Sequence, residues 1–380
     1  MAEIRSAAVI GAGAMGGGIA ALFANAGAKV VLLDVDASHA AAGLSRQRDA
    51  GSFRDAALAD AVQVGGVASD IALLADADWI VEAAAERIEV KRNLFAAVNR
   101  VRKPGSVVSS TTSTFLRARL VEGMAPDDAR DFIVTHFFNP PTAMRLVELV
   151  SDADTRPDAV QAVTRFATEA MGKSVVACSD TPGFIANRIG TFWLSAALHE
   201  AIGLGLTVEA ADAVLGASAG APVGPFAFAD YVGIDLLPSV WASMAAALPK
   251  TDAAQPYLTV PPVIARMVAE GRHGRKTKQG FMRRRADGGF DVLDLTSGEY
   301  RPKVDLPAVD LAQLLQGDDL AALYGRRVLS GVVAYAAALV PSVAATPDLV
   351  DVAMREGYGW KLEPFELREQ LGAALNTAPR

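Results

Sequence analysis

The sequence predicts an α/β protein in which a doubly wound parallel sheet is followed by all-α helical domains. Over roughly the first 180 residues, strand-like apolar runs alternate with helical patterns, as in parallel sheets covered by helices. After a breaker at 180–183 the chain becomes mostly helical, and a long helix is expected from 184 to about 205. A chain of 380 residues is long enough for two or three domains.

The strands of the predicted sheet are short apolar runs, as expected for strands buried between layers of helices. They are predicted at 7–10, 29–33, 79–82, 106–110, 132–137 and 146–150. In the helical part, Thr207 is expected to cap the helix that follows the long one.

A glycine turn after the first predicted strand carries a dinucleotide-binding pattern. Gly11, Gly13 and Gly16 form G-x-G-x-x-G and lead into a helical stretch. The first glycine permits a tight turn, the second lets the backbone approach a pyrophosphate, and the third lets the helix pack against the strands. The helix N-terminus offers N–H groups and a positive dipole end to the phosphates. Ala14 and Met15, between the last two glycines, are included among the predicted cofactor-binding residues.

Asp34 is expected to select the cofactor. It ends the second predicted strand, about 20 residues after Gly11, the spacing of a Rossmann-type domain. Its carboxylate can accept from both hydroxyls of an adenosine ribose and would repel a 2′-phosphate, so the pattern predicts NAD rather than NADP. Asp36 lies past the strand end and is interpreted as a loop residue or a helix cap.

Composition argues against several classes of function. A net charge of −7 does not suit a nucleic-acid partner, which would call for a clustered basic face. The single cysteine excludes a disulfide framework, and the four histidines lack ligand spacing, so we expect no metal. Met1 is followed almost at once by the first strand without a secretory signal, so a cytoplasmic location is expected.

Residues 328–347 carry no charge and are long enough for a membrane span. Pro341 interrupts the segment, and Gly331 and Tyr335 weaken its apolar character. We therefore expect no membrane span and interpret the segment as a buried helix at about 326–340.

The helical part also contains an internal repeat. Residues 212–233 align without gaps to 351–372, with identical Asp, Gly, Pro, Phe and Gly positions, and an apolar helix precedes each copy. We therefore predict two related helical units. Between them, 281–303 is rich in Arg, Gly and Asp, with short strands expected at 290–293 and 299–301.

His136 and Glu148 are candidates for acid–base chemistry. His136 ends one predicted strand and Glu148 lies within the next, at a separation that lets a loop return the second strand beside the first. A carboxylate beside an imidazole fixes the tautomer of the ring, and such a base can remove a hydroxyl proton while hydride leaves the same carbon. Taken alone, the pair is ambiguous: a lone histidine near a strand end is more often a structural residue, and Glu148 could be a surface charge.

Over about residues 4–285 the chain resembles the 3-hydroxyacyl-CoA dehydrogenases. The matching motifs, besides the glycine turn and the His136 segment, are VEAAAERIEVK from residue 81, STTST from 110, DTPGFIANR from 180, GPF from 224, DYVG from 230 and GRKTKQGF from 274. The C-terminal unit, with GYGW from 357, resembles the second helical domain of long bacterial dehydrogenases that are often fused to an enoyl-CoA hydratase.

The resemblance implies NAD-dependent oxidation of (S)-3-hydroxyacyl-CoA to 3-ketoacyl-CoA in fatty acid β-oxidation. It implies that His136 is the general base, that Glu148 orients it, and that Ser113 hydrogen-bonds the reacting oxygen near the nicotinamide. Asn187 matches an amide directed towards the substrate. The cofactor-contacting residues that it implies are Glu86, Lys91, Ser113 and Asn139. Without the resemblance, Glu86 and Lys91 would be interpreted as solvated helix charges.

Two regions depart from the family pattern. Thr111 occupies the position of a usual asparagine and cannot present the same amide, which leaves the hydrogen bonding of that turn open. Residues 46–60 are a poor match to the lysine-rich helices that usually contact coenzyme A in this family. Arg46, Arg48 and Arg54 are nevertheless candidates for binding its phosphates.

We predict a Rossmann-type NAD-binding domain at 1–182, a helical dehydrogenase domain at 183–285, a linker or hairpin at 286–305 and a second helical repeat at 306–380. Single-repeat members of the family generally dimerise through the helical domain. A second copy in the same chain could occupy that surface, which favours a monomer over a dimer.

Two other functions stay open. One is a dehydrogenase of a free hydroxy acid or sugar acid, for which Arg145 could bind the carboxylate. The other is a non-catalytic NAD-binding assembly subunit that docks to a separate enoyl-CoA hydratase or thiolase.

Overall fold

The computed structural model describes residues 3–216, 220–307 and 309–377. The predicted N-terminal domain includes residues 1–2, the first copy of the repeat includes 217–219, and the predicted C-terminal unit includes 308 and 378–380. These residues lie outside the described part of the chain. Contacts divide the chain into one unit, Met1–Phe184, and a second, Ile185–Arg380.

An eight-stranded sheet forms the centre of the first unit. Its strands are β1 (Ser6–Ile10), β2 (Lys29–Asp34), β3 (Gln63–Gly66), β4 (Trp79–Glu82), β5 (Val107–Ser110), β6 (Phe132–Phe137), β7 (Leu146–Val150) and β8 (Ser174–Cys178). The strand order is β3-β2-β1-β4-β5-β6-β7-β8. Neighbouring strands are parallel except for the antiparallel pair of β6 and β7, whose short connection is too brief for a helical crossover.

Helices and short helical turns connect these strands. They are α1 (Ala14–Asn25), α2 (Ala37–Asp49), α3 (Ala56–Asp60), α4 (Val67–Asp70), α5 (Ile88–Val101), α6 (Arg117–Val121), α7 (Pro126–Arg130) and α8 (Pro157–Arg165). In the core, the fully buried ring of Trp79 meets the edge of Phe23 at a centroid distance of 4.9 Å. This contact joins β4 to α1 and so fixes the helix that starts at the glycine turn.

The six predicted strands of this sheet are confirmed, each within one residue at either end. The strands β3 and β8 were not predicted. The sequence of β3, QVGG, contains two glycines and one branched residue, and pairing of Gln63–Gly66 with β2 defines it as a strand. β8 is a short apolar run that is the outermost strand of the sheet and pairs with β7 alone.

The second unit is mainly helical. Its helices are α9 (Ala186–Leu204), α10 (Val208–Leu215), α11 (Pro225–Val232), α12 (Leu237–Ala247), α13 (Pro262–Ala269), α14 (Leu311–Gln316), α15 (Leu320–Ala338), α16 (Pro347–Tyr358) and α17 (Pro364–Thr377). An antiparallel sheet of β9 (Met282–Arg284), β10 (Phe290–Leu293) and β11 (Tyr300–Pro302) lies between α13 and α14 in the chain. The predicted strand at 290–293 is confirmed, and the one at 299–301 is shifted by one residue.

Helix ends follow the predicted signals. Thr207 caps α10, as predicted, because its hydroxyl accepts from the N–H of Ala210. The preceding helix α9 ends at Gly205, whose left-handed φ of 68° suits a residue without a Cβ.

The first part of the uncharged segment, residues 328–338, is the second half of α15, which packs on α9. The ring of Tyr335 stacks on that of Phe192 at a centroid distance of 4.4 Å, and Val332 is fully buried. A buried helix is therefore confirmed here, although it begins about six residues earlier and ends two residues earlier than predicted. Within residues 3–216, 220–307 and 309–377, none of the helices combines the length and apolar character that crossing a membrane requires.

The identical residues of the repeat make the same contact in both copies. Asp212 accepts from the backbone N–H of Phe226 at 2.8 Å, and Asp351 accepts from that of Phe365 at 3.0 Å. In each copy the acid of one helix satisfies a free N–H at the start of the next, which begins with proline, a residue suited to the first turn. The shared Asp, Pro and Phe positions therefore specify a helix-to-helix contact.

Candidate functional site

The glycine turn at the carboxyl end of β1 is tight where it meets the sheet and open where a phosphate would approach. A Cβ on Gly16 would lie 1.8 Å from the carbonyl oxygen of Gly11, and Gly11 itself has a φ of +103°. A Cβ on Gly13, in contrast, would meet nothing within 4 Å. Gly13 is the N-cap of α1 and offers no side-chain cap, so the first N–H groups of the helix suit an anion.

Asp34 is held beside this turn at the end of β2. One carboxylate oxygen accepts from the N–H of Ala12 at 2.6 Å, and the other accepts from that of Val35 at 2.7 Å. The position of the carboxylate is therefore fixed relative to the glycine turn. Asp36 caps α2 by accepting from the N–H of His39, which confirms its interpretation as a helix cap.

A buried charge cluster lies at the carboxyl end of β4. The ammonium of Lys91, which is 1% exposed, lies 2.7 and 2.9 Å from the two carboxylate oxygens of Glu82 and 3.0 Å from Glu86. Lys91 is therefore not a solvated helix charge. Glu82 was not identified as a site residue from the sequence, although an acid that ends a buried strand is a usable signal. Its carboxylate also accepts from the hydroxyl of Ser110.

The turn after β5 carries Ser113. Thr112 fixes this turn because its hydroxyl accepts from the N–H of Phe115 at 2.9 Å and donates to Glu86. Ser113 itself is exposed. The hydrogen bonding of Thr111, which stands where the family usually has asparagine, is now defined. Its hydroxyl accepts from the N–H of Phe137 at 3.3 Å. That bond joins the ends of β5 and β6.

His136 and Glu148 face each other across the antiparallel pair of β6 and β7, in direct register. The Nδ1 atom of His136 lies 2.7 Å from Oε2 of Glu148, and both side chains are buried. Because an ionised carboxylate can only accept, this bond places a hydrogen on Nδ1 and leaves the lone pair on Nε2. The rings of Phe138 and Phe184 flank the imidazole at centroid distances of 4.5 and 5.6 Å.

The remaining predicted residues lie in three places. Asn139 is exposed in the loop between β6 and β7. Asn187 belongs to the second unit, on the first turn of α9, where its amide oxygen accepts from the hydroxyl of Tyr358 at 3.4 Å. Of the arginines considered for coenzyme A, Arg46 donates to the carbonyl of Ala12 and Arg48 pairs with Asp60.

Within the first unit, the structure brings most of these predicted side chains to one edge of the sheet. The carboxyl ends of parallel strands meet at the same edge, where doubly wound sheets bind their ligands. The glycine turn, Asp34, Ser113 and His136 follow or end β1, β2, β5 and β6. Among the described residues, no group of three or more His, Cys, Asp or Glu side chains could hold a metal ion.

The sequence of the chain is similar to those of known dehydrogenases. The pattern of the 3-hydroxyacyl-CoA dehydrogenase NAD binding domain matches residues 6–181, and that of the C-terminal domain of the same enzymes matches residues 183–284. A protein of Rickettsia felis, provisionally named a fatty acid oxidation complex trifunctional enzyme, is 35% identical over 96% of this chain and 53% of its own length. The chain thus spans about half the length of this relative.

Two further relatives differ in coverage. The 3-hydroxybutyryl-CoA dehydrogenase of Bradyrhizobium diazoefficiens is 36% identical over 74% of this chain and 95% of its own length. The crystal structure of 3-hydroxybutyryl-CoA dehydrogenase from Escherichia coli covers 97% of this chain and 92% of its own, with a TM-score of 0.75 and 23% identity. That last likeness is one of fold.

Proposed function

The chain belongs to the 3-hydroxyacyl-CoA dehydrogenase family, and we propose that it oxidises (S)-3-hydroxyacyl-CoA to 3-ketoacyl-CoA with NAD. The observation that carries this proposal is the buried pair of His136 and Glu148, at the same sheet edge as the glycine turn. A buried imidazole held by a carboxylate suits a reaction that begins or ends with proton transfer.

The residues of the glycine turn fit NAD. The open face at Gly13 and the uncapped start of α1 suit the pyrophosphate, and the carboxylate of Asp34 suits the adenosine ribose. When it is bound, NAD supplies the acceptor for the hydride that leaves C3 of the substrate.

His136 is proposed to take the proton of the C3 hydroxyl on Nε2, while the electrons of the O–H bond form the new carbonyl. Glu148 keeps the hydrogen on Nδ1 and stabilises the imidazolium that results. Ser113, exposed on its turn, is proposed to donate to the reacting oxygen. General base catalysis of this kind contributes roughly 10²- to 10⁴-fold to the rate.

The family motifs support a set of residues that contact the two ligands. Glu86 and Lys91 are proposed to contact the nicotinamide half of NAD, Asn139 to lie near both NAD and the substrate, and Asn187 to contact the acyl-CoA. The ammonium of Lys91 is fixed between Glu82 and Glu86, which suits a contact of defined geometry. A cytoplasmic location and a monomeric state are further parts of the proposal. A separate hydratase or thiolase is a proposed partner, since one relative is named as a trifunctional enzyme.

A direct test is the reduction of acetoacetyl-CoA by the purified chain, followed through the loss of NADH absorbance. Turnover of this thioester, with little turnover of free acetoacetate, is the expected result. Turnover of free hydroxy acids or sugar acids without turnover of the thioester would favour the first alternative. Binding of NADH without turnover of either class would favour a non-catalytic assembly subunit.

A further inference from the structure

Lys173 is a buried cation that the proposed reaction does not use. It lies directly before β8 and is 5% exposed. Its ammonium donates to the carbonyl oxygens of Pro141 at 2.5 Å and of Met144 at 2.6 Å. Both of these partners are main-chain carbonyl groups rather than carboxylates.

Burial of this charge is costly. Desolvation is the larger cause and the nearby charge of Arg145 the smaller one, and together they lower the pKa of Lys173 to about 8. An ammonium that leaves water keeps its charge only where strong acceptors replace its hydration. The carbonyl oxygens of Pro141 and Met144 supply such acceptors. The two short hydrogen bonds therefore fix the ammonium and the two carbonyl groups relative to each other.

The two carbonyl groups belong to the loop of residues 138–145, which joins β6 to β7 and carries Asn139. Pro140 and Pro141 have no N–H, and within the loop the N–H groups of Ala143 and Met144 donate to the carbonyl of Pro140. Its first end is tied by the bond from Phe137 to Thr111, and its last by the bond from the N–H of Ser174 to the carbonyl of Arg145. The ammonium of Lys173 adds a tie from the carbonyls of Pro141 and Met144 to the start of β8.

The same loop rests on the helix that follows the glycine turn. A Cβ on Gly18, in α1, would lie 3.0 Å from Cδ of Pro141, so helix and loop are in close contact at this point. The carbonyl of Pro141 is one of the two groups that Lys173 binds. Lys173 therefore fixes Pro141, the residue through which the loop contacts α1.

We propose that Lys173 is a positioning residue that holds the 138–145 loop against α1 and thereby sets Asn139 for contact with NAD. This inference rests on the proposed function, specifically on the role of Asn139 at the cofactor. Hydrogen bonds from a charged donor are among the stronger ones in proteins, so loss of both is expected to displace the loop.

The test compares Lys173→Met, an unbranched side chain that ends one atom short of the ammonium position and has no donor, with Lys173→Arg, which keeps charge and donors. Lys173→Met is expected to raise the dissociation constant of NADH about tenfold, the scale of one charge-assisted hydrogen bond. Lys173→Arg should restore most of the NADH affinity. Lys103→Met is the matched control, since Lys103 also donates to a carbonyl and pairs with Asp78, at the opposite edge of the sheet.

A double-mutant cycle identifies the route of the effect. If Lys173 acts through Asn139, Lys173→Met should change the NADH dissociation constant little in an Asn139→Ala background. Full additivity, or a folded Lys173→Met that binds NADH like the unaltered chain, would overturn the proposal. So would a variant that loses thermal stability while its NADH affinity is unchanged.

Two measures keep this test independent of folding and of the proposed activity. If Lys173→Met does not fold, Lys173→Gln, which has neutral donors on a shorter side chain, is measured in its place, and a smaller rise in the dissociation constant of NADH is expected. NADH binding, followed by the fluorescence of the reduced cofactor, needs no turnover. A failure of acetoacetyl-CoA reduction is therefore distinguishable from a failure of this inference.

Discussion

The Nδ1 atom of His136 lies 2.7 Å from Oε2 of Glu148, in a strand pair that sets the two residues directly opposite each other. Strand register therefore builds this pair. A shift of one residue in β7 would move Glu148 to the other face of the sheet and bring an apolar neighbour to the imidazole.

Glu148→Gln tests the orienting role of the carboxylate. A glutamine amide can donate to Nδ1 and so favour the tautomer in which Nε2 carries the hydrogen and cannot act as a base. We expect turnover of the thioester to fall at least about a hundredfold, with NADH affinity nearly unchanged. Glu122→Gln, which removes an exposed acid paired with Arg92, is the control and should keep full activity. A Glu148→Gln enzyme with near-normal turnover would show that the pair is structural.

Asp34 is expected to set the cofactor preference. The unaltered chain should prefer NADH over NADPH by at least about tenfold, because the carboxylate bonds the ribose hydroxyls and repels a 2′-phosphate. Asp34→Ala should erode this preference in steady-state kinetics with each cofactor. Asp36→Ala, which removes the cap of α2 together with the exposed contacts of Asp36 to Ser38 and His39, should lower thermal stability and keep the preference. Equal use of the two cofactors by the unaltered chain would count against the assignment.

The sequence predicts the parts of this fold that local patterns specify. The six strand runs, the glycine turn, the acid at the end of β2 and the cap at Thr207 each depend on residues close in sequence. The cluster of Glu82 with Lys91 could not be predicted from local patterns. Burial of Lys91, on α5, depends on its contact with Glu82 at the end of β4. The strand β3, with its two glycines, likewise depends on its partner for definition.

Removal of residues 306–380 tests the packing of the second repeat. Phe192 and Trp193 on α9 would lose the rings of Tyr335 and Trp360, which lie at centroid distances of 4.4 and 5.6 Å. The exposed apolar face should cause aggregation or a new dimer, measured by size-exclusion chromatography with light scattering. Val332→Asp, which places a charge in the same buried face, should destabilise the intact chain. A truncated chain that stays monomeric and equally stable would refute this packing.

Asp212 should make stability depend on pH. Burial raises the pKa of Asp212 to about 7, above its value of about 3.9 in an unfolded chain. Between these values the folded state binds the extra proton, so this group lowers the free energy of unfolding as pH rises from about 4 to about 7. Burial raises the pKa of Asp230 to about 6, with the same sign.

Asp212→Asn should therefore reduce the loss of stability between pH 5 and pH 8, measured by urea unfolding at each pH. The amide oxygen can still accept from the N–H of Phe226, whereas the bond from the N–H of Ala227 is lost at every pH, so the comparison is one of pH dependence rather than of absolute stability. A variant that loses as much stability as the unaltered chain over this range would contradict the assignment of the proton to Asp212.

The central claim is that a histidine base performs NAD-linked oxidation of a 3-hydroxyacyl thioester. The most direct measurement is the rate of acetoacetyl-CoA reduction by NADH for the unaltered chain and for His136→Gln, with NADH affinity measured on both. We expect turnover by the unaltered chain, a fall of at least about a hundredfold in the variant, and nearly equal NADH affinity. A His136→Gln protein that keeps most of the activity would contradict it.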